Sequence, residues 1–328
     1  MMEFHLNYSP APSTIKISHR DTILTIGSCF AVELHARLSQ AKFECACNPN
    51  GILFNPMSIS KALNSYLNKT LIKSDELILN DGIYCSLNHQ YAELDEKDVL
   101  TESINSNTEN YHDYLKSVKF LIITFGSAFV YRHIKTNQIV ANCHKLPQQE
   151  FKKELLSVEN IVAEYKLLFE KLKTINPNLN IILTVSPVKY LRDGIVENNL
   201  SKSILIQSIH QLLTLNSQPS TLNSQYFPAY ELVNDDLRDY RFYKEDMAHP
   251  NDQAIDYVWK KFSDVYFTAE TKNLNEKIKE INLAVSHRPL NENSPKHKEF
   301  KAAAYKKCTD LETNYPFLNF VHEKRVFS

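Results

Sequence analysis

The fold can be worked out from one segment, Thr25-Ile26-Gly27-Ser28-Cys29-Phe30-Ala31. Its start continues a buried strand over 23–26, Gly27 allows a sharp turn, and a helix follows from Cys29 to about residue 40 with apolar residues every fourth position. Ser28 therefore stands at a strand-to-helix junction. Its hydroxyl either caps the helix or faces the carboxyl edge of a sheet, and a lone Gly-Ser pair favours the cap.

A second segment, Asp246-Met247-Ala248-His249-Pro250, lies far downstream. In a turn the Asp246 carboxylate can accept the Nδ1–H of His249, which leaves Nε2 free to take a proton from a hydroxyl. Alone, this pair is more often a structural turn than a catalytic one. Together with Ser28 at the edge of the first strand, it predicts a Ser-His-Asp triad assembled from the two ends of one domain.

Strand-like and helix-like segments alternate along the chain. Strands are predicted at 22–26, 42–47, 119–125, 180–185 and 226–230, hairpins at 77–86 and 129–143, and helices at 56–67, 95–116, 157–174 and 200–215. The continuous apolar run at 119–125 is typical of a parallel strand covered on both faces. The alternation predicts an α/β fold, a three-layer α/β/α sandwich with a mainly parallel sheet.

The bulk composition excludes several classes of partner. The 328 residues carry a net charge of −1, so no field recruits nucleic acid or a membrane surface. The amino terminus lacks the basic and apolar parts of a secretory signal, and the longest apolar run is too short to span a bilayer. Six cysteines without a Cys-x-x-Cys pair indicate reduced thiols and a cytoplasmic location. No metal and no cofactor are expected.

The motifs resemble the GSCFA family, a bacterial branch of the SGNH (GDSL-type) hydrolase superfamily. The resemblance rests on Gly27-Ser28-Cys29-Phe30-Ala31 and on segments 48–56, 125–133, 141–145, 184–188 and 239–250, and it covers about residues 20–265. It implies a flavodoxin-like catalytic domain over 1–270, with a helix and hairpin insertion at about 56–118. A helical extension is expected over 271–328, which either packs on the core or forms a homodimer.

The resemblance also implies an activity. Ser28 would attack an ester carbonyl, His249 would act as the base, and Asp246 would orient the imidazole. The expected substrate is a small acyl ester or an acylated carbohydrate, with acetyl as one candidate group. Hydrolysis and transfer of the acyl group to an acceptor share the same acyl-enzyme, so the sequence leaves both open.

An oxyanion hole is expected from the backbone N–H groups of Ser28 and Gly51. The superfamily supplies a third donor from Gly-x-Asn, but this chain has Gly126-Ser127-Ala128, so the asparagine is missing. Ser127 or Asn142 could replace it. The remaining candidates for the substrate pocket are Asn55, His89, Gly126 and His144.

Two other interpretations remain. The missing asparagine favours a binding or scaffold protein on a degenerate hydrolase fold. Cys29 could serve as a thiol nucleophile, because a helix start lowers a thiol pKa. Its side chain, however, points about 100° away from that of Ser28 on the helix, which favours packing against the sheet.

Overall fold

The computed structural model describes residue 6 and residues 8–90, 93–94, 96–215 and 223–328. The strands are β1 (Ile23–Gly27), β2 (Cys45–Cys47), β3 (Ile78–Asn80), β4 (Ile83–Cys85), β5 (Glu93–Leu94), β6 (Phe120–Phe125), β7 (Phe129–His133), β8 (Gln138–Val140), β9 (Phe151–Leu155), β10 (Asn180–Val185) and β11 (Asn223–Phe227). The helices are α1 (Cys29–Gln40), α2 (Pro56–Asn68), α3 (Lys97–Ser117), α4 (Val158–Ile175), α5 (Ile195–Leu215), the single turn α6 (Ala229–Glu231), α7 (Asp252–Tyr266), α8 (Ala269–Ser286), α9 (Pro295–Asn314) and α10 (Val321–Phe327).

The central sheet has the order β2-β1-β6-β10-β11, and its strand pairs are all parallel. Counted along the chain this is the order 2-1-3-4-5 of flavodoxin-like folds, so the predicted fold class is confirmed. In such a sheet the order reverses between the first and third strands, here β1 and β6. Ligands bind outside the carboxyl ends of the strands at that switch point.

Alternate residues of the strands face two apolar layers. Leu24 and Ile26 belong to the core beneath α2, α4 and α5, whereas Ile23 and Ile122 belong to the core beneath α1 and α7. The strands of the middle of the sheet are buried along their whole length because both of their faces are covered.

Both predicted hairpins are present, with β3 paired to β4 and β7 paired to β8 in antiparallel fashion. Several predictions needed correction. Strands β5 and β9, which pair with β4 and β7, were missed. The last strand lies at β11 rather than at 226–230, β2 begins at Cys45 rather than at residue 42, and α5 begins at Ile195 rather than at residue 200. The predicted start of a helix at residue 95 lies outside the described residues.

Helices α8, α9 and α10 bury apolar side chains in a cluster of their own. They also contact the α/β core: Lys42 forms an ion pair with Glu323 at 2.5 Å, and the Asn282 amide donates to the carbonyl of Gln40 at 2.9 Å. The extension therefore packs on the core beside the end of α1. The division at residue 270 and the predicted homodimer stay predictions.

The two ends of the α/β core meet on one side of the molecule. Ile17 pairs with Phe267 in an isolated parallel bridge, and its N–H donates to the carbonyl of Tyr266 at 2.8 Å. The hydroxyl of Thr271 donates to the carbonyl of Ile17 at 3.3 Å. The segment before β1 is thus held by the segment after α7.

Gly27 is the tightest point of the sheet. Its φ is +134°, and a Cβ added there would lie 2.1 Å from the carbonyl oxygen of Thr124 on β6. Its N–H donates to Oδ1 of Asn48 at 2.7 Å, and its carbonyl accepts the N–H of Leu53 at 2.9 Å. No residue other than glycine can turn the chain here while β1 stays paired with β6.

We expect Gly27→Ala to lower the free energy of unfolding by at least about 2 kcal/mol, since backbone strain and a steric clash with Thr124 add together. The matched control is Gly82→Ala, where φ is also positive (+79°) but open space surrounds the added Cβ. Urea unfolding of the two variants measures the difference. Equal destabilisation would show that the close approach to Thr124 does not matter.

Candidate active site

Ser28 lies at the carboxyl end of β1, directly at the switch point. It occupies the N-cap position of α1, but its side chain makes no capping hydrogen bond. The residue is only 2% exposed, and its buried hydroxyl has no hydrogen-bond partner among the described residues. The simple cap interpretation is therefore wrong, and the Ser28 hydroxyl is left without a structural role.

Asp246 and His249 form the predicted pair within one turn. Oδ2 of Asp246 accepts from Nδ1 of His249 at 2.6 Å, while Oδ1 accepts the N–H groups of Ala248 and His249 at 2.9 Å each. These hydrogen bonds, the backbone ones first, lower the pKa of Asp246 to about 2. The carboxylate stays charged at neutral pH and holds the imidazole with Nε2 directed away from Asp246.

This turn lies over the same edge of the sheet as Ser28. The Ala248 carbonyl accepts the N–H of Lys189, which follows β10, at 3.0 Å. On the other side Lys244 forms an ion pair with Glu33 in the first turns of α1 at 3.7 Å. The turn thus bridges the end of β10 and the helix that Ser28 begins.

One expected contact is absent. The Ser28 hydroxyl donates no hydrogen bond to His249, because it is buried against the sheet whereas the His249 side chain is 40% exposed. Hydrogen bonds between catalytic groups are often long or misaligned before substrate binds.

Both predicted backbone donors of the oxyanion hole need correction. The N–H of Ser28 donates to the carbonyl of Thr124 at 3.1 Å, which extends the pairing of β1 with β6. The N–H of Gly51 donates to the carbonyl of Asn48 at 2.8 Å and closes a tight turn. Neither group is free to hold an oxyanion in this structure.

Ala128, at the position of the missing asparagine, is fully buried in the apolar core, and its N–H donates to the Ser201 hydroxyl at 2.7 Å. Asn55 does not take over the donor role, because its side chain caps α2. Its Oδ1 accepts the N–H of Ser58 at 2.8 Å, and its Nδ2 donates to the Ser58 hydroxyl at 3.0 Å.

His89 and His144 form a separate structural unit. The Nε2 atom of His144 lies 2.8 Å and 2.9 Å from the carbonyl oxygens of Ser86 and His89 and donates to both. Burial first, and then the neighbouring His144, lower the pKa of His89 to about 4, so this ring is neutral. His89 lines a cavity of 440 Å³ beside α2, and neither ring lines the cavity next to Gly126. Their place in the substrate pocket stays a prediction.

Gly126, Ser127 and Asn142 do lie near Ser28 or beside a large cavity. A Cβ on Gly126 would be 3.1 Å from the Ser28 Cβ, so glycine permits the close approach of β6 to the nucleophile candidate. Ser127 and Asn142 line a cavity of 950 Å³ that begins next to Gly126. The amide nitrogen of Asn142 donates no hydrogen bond in the described part of the chain, whereas the Ser127 hydroxyl accepts the N–H of Phe129.

Sequence reasoning missed a row of buried polar atoms at the carboxyl edge. Thr124 and Thr184 pair in register on β6 and β10, and both hydroxyls are buried without a partner among the described residues. The Nδ2 atom of Asn48 is also buried without a hydrogen-bond partner among the described residues, although Oδ1 of the same side chain accepts the N–H of Gly27. Each buried polar group that is left unpaired lowers the stability of the fold by about 1–3 kcal/mol. Their concentration next to Ser28 favours a site built for a polar ligand.

Lys202 on α5 was also missed. Its ammonium is fully buried and donates to the carbonyl oxygens of Gly126 and Ser186 at 2.7 Å each. These carbonyls follow β6 and β10, so Lys202 ties together the two loops that border the site. Burial lowers the pKa of Lys202 to about 7. No pattern of apolar residues on α5 distinguishes this lysine from a surface one.

The interpretation of Cys29 as a thiol nucleophile receives no support. Burial raises the pKa of Cys29, so the effect expected from the helix start is outweighed. Within the described residues no group of three or more His, Cys, Asp or Glu side chains could hold a metal ion. The Nδ1 atom of His133 lies 2.9 Å from the Thr136 hydroxyl. None of the described helices is long and apolar enough to cross a bilayer.

Comparison with known proteins gives two family matches. The profile described as the GSCFA family matches residues 22–262, and that of the GSCFA domain protein, C-terminal domain, matches residues 278–328. No curated protein sequence matches. Among solved structures the chain is similar to an acetyl xylan esterase (Est2A) from the rumen bacterium Butyrivibrio proteoclasticus, with 10% identity and a TM-score of 0.35. The match covers 82% of this chain and 65% of the length of that one.

The buried ammonium of Lys202 predicts a dependence of stability on pH. Its pKa is about 7 when folded and near 10.5 when unfolded, so the unfolded chain binds more protons between these values. The contribution of Lys202 to stability therefore rises with pH across this window, by about 1.4 kcal/mol per pH unit.

The measurement is the difference in unfolding free energy between the wild-type protein and Lys202→Met, by denaturant titration at several pH values. This difference cancels the effects of the other titrating groups. A difference in unfolding free energy that stays constant from pH 7 to pH 10 would contradict the lowered pKa of Lys202.

Proposed function

The chain belongs to the GSCFA family, and on that premise we propose that it is a serine-dependent ester hydrolase or O-acyltransferase. Ser28 is the nucleophile, His249 the general base and Asp246 the residue that orients the base. The observation that carries the proposal is the Ser28 hydroxyl, which is placed at the switch point of the sheet without a cap or any other partner in the described chain. The Asp246–His249 pair lies over the same edge.

The proposed reaction proceeds in two steps. As the Ser28 Oγ bonds to the acyl carbon, its proton passes to Nε2 of His249, and the negative charge of Asp246 stabilises the imidazolium. The tetrahedral intermediate collapses, the ester C–O bond breaks, and His249 gives the proton to the departing alcohol. Water or an acceptor hydroxyl then attacks the acyl carbon while His249 takes its proton; the bond between the acyl carbon and the Ser28 Oγ breaks, and His249 returns the proton to Ser28.

Asn48 is the oxyanion donor in this proposal. The backbone N–H groups of Ser28 and Gly51 are already paired, and residue 128 is alanine. The Asn48 carboxamide is fixed by the N–H of Gly27, one residue from Ser28, and its Nδ2 is a buried donor without an acceptor among the described residues. Asn48 also has a positive φ of +44°, a strained conformation of the kind that clusters at functional sites.

The rival function is a binding protein on a fold that no longer catalyses. It is favoured by the same two occupied N–H groups and by the buried position of the Ser28 hydroxyl. The two functions differ in whether Ser28 becomes covalently modified.

Labelling with a fluorophosphonate probe tests the nucleophile. We expect wild-type protein to be labelled and Ser28→Ala and His249→Ala to remain unlabelled, because attack needs both the hydroxyl and the base. Ser39→Ala is the matched control, since Ser39 is an exposed serine at the far end of the same helix. Labelling of Ser28→Ala would rule out the proposal, and an unlabelled wild-type protein that binds sugars would favour the rival.

Asn48→Asp tests the oxyanion donor. The variant keeps an oxygen that can accept from Gly27 and replaces the Nδ2 donor by an oxygen, so turnover of p-nitrophenyl acetate should fall by about 10²–10³. Asn178→Asp makes the same chemical change at an exposed position and should leave turnover unchanged. Equal rates for Asn48→Asp and the wild type would remove Asn48 from the site.

A further inference from the structure

A cavity of 950 Å³ lies between the small sheet β8-β7-β9 and the loops that follow β6 and β10. It borders the candidate active site without including Ser28. The connection runs through Phe54, whose carbonyl accepts the N–H groups of Gly126 and Ser127 at 2.8 and 2.9 Å. Ser127 and Phe54 line the cavity, and Gly126 touches Ser28. The backbone at Gly126 and Ser127 thus leads from Ser28 to the cavity wall.

The cavity walls combine aromatic rings with polar side chains. The rings are those of Phe54, Phe129, Tyr131, Phe151 and Tyr190, and the amides are those of Asn55, Asn142 and Gln148. A pocket for a long acyl chain would be apolar throughout. Flat rings beside side-chain amides instead suit a sugar, which presents C–H faces to rings and hydroxyls to amides. The volume is far larger than an acetyl group needs.

The charges at the cavity mouth are unbalanced. Lys153 forms an ion pair with Asp193 at 2.5 Å and also lies 4.2 Å from the centre of the Phe129 ring, so this pair is neutral. Lys145 and Arg192 line the same cavity, and neither has a carboxylate partner among the described residues. The mouth thus carries two uncompensated positive charges.

We propose that this cavity binds an acidic saccharide, the alcohol part of the ester cleaved or formed at Ser28. The inference rests on the proposed function and names its substrate class. Arg192 and Lys145 hold the sugar carboxylate, since a guanidinium matches a carboxylate with two parallel hydrogen bonds. The Asn142 amide donates to a ring hydroxyl, and the aromatic walls hold the ring faces.

The test is isothermal titration of sugars into the full chain carrying Ser28→Ala, which cannot turn them over. The probes are D-glucuronate and the neutral, nearly isosteric D-glucuronamide. We expect glucuronate to bind at least about tenfold more tightly. Arg192→Gln should remove most of this preference, Arg192→Lys should keep part of it, and Phe151→Ala should weaken both sugars equally.

Lys152→Gln is the matched control for charge. Lys152 is next in sequence to a lining residue but does not line the cavity, is 70% exposed and pairs with Glu154, so the preference should be retained. Equal binding of the two sugars, no binding of either, or a preference that survives Arg192→Gln together with Lys145→Gln would overturn the inference.

The outcomes separate the two proposals. Fluorophosphonate labelling without sugar binding would leave the esterase proposal intact and remove the acidic saccharide. Sugar binding without labelling would remove the esterase proposal and the role of the sugar as the alcohol of its ester, and it would leave only a binding site for acidic sugars.

Discussion

The close contact between Gly27 and Thr124 is the constraint on which the rest of the structure depends. It brings β1 against β6 at the point where the strand order reverses, and there the loop after β2 supplies both an acceptor and a donor to Gly27. The turn that results places Ser28 at the edge of the sheet and starts α1 in the same step. A bulkier residue would separate the strands or reverse the turn, and Ser28 would then lose its place at the edge of the sheet.

The site is made of groups that a purely structural protein would have paired or removed. The hydroxyls of Thr124 and Thr184, the Asn48 amide and the Ser28 hydroxyl lie near the ends of four neighbouring chain segments, buried and unpaired among the described residues. The buried Lys202 ammonium beside them donates to two carbonyl oxygens and has no carboxylate partner among the described residues. Such an arrangement lowers the stability of the fold and is typical of a site that binds a polar ligand.

The sequence allowed the fold to be predicted because its main signals are local. Apolar runs and alternating helices gave the parallel sheet, and Gly-Ser together with Asp-x-x-His gave the positions of Ser28, Asp246 and His249. Strands β9 and β11 were missed or misplaced because they are rich in polar residues and only partly buried. The donors of the oxyanion hole could not be predicted, because whether the N–H groups of Ser28 and Gly51 are occupied depends on which strand lies opposite. The hydrogen bonds of Asn48 and Lys202 could not be predicted either, because their partners are distant in sequence.

The bridge between Ile17 and Phe267 has a consequence for how the molecule is made. A ribosome releases the chain from its amino end, so β1 and Ser28 emerge long before the segment that fastens Ile17 and before the Asp246–His249 turn that precedes it. Closing a loop of this length is a slow, late event in folding. In a nascent chain Ser28 is therefore exposed before the Asp246–His249 turn exists, and the two segments can come together only after most of the α/β core has been synthesised.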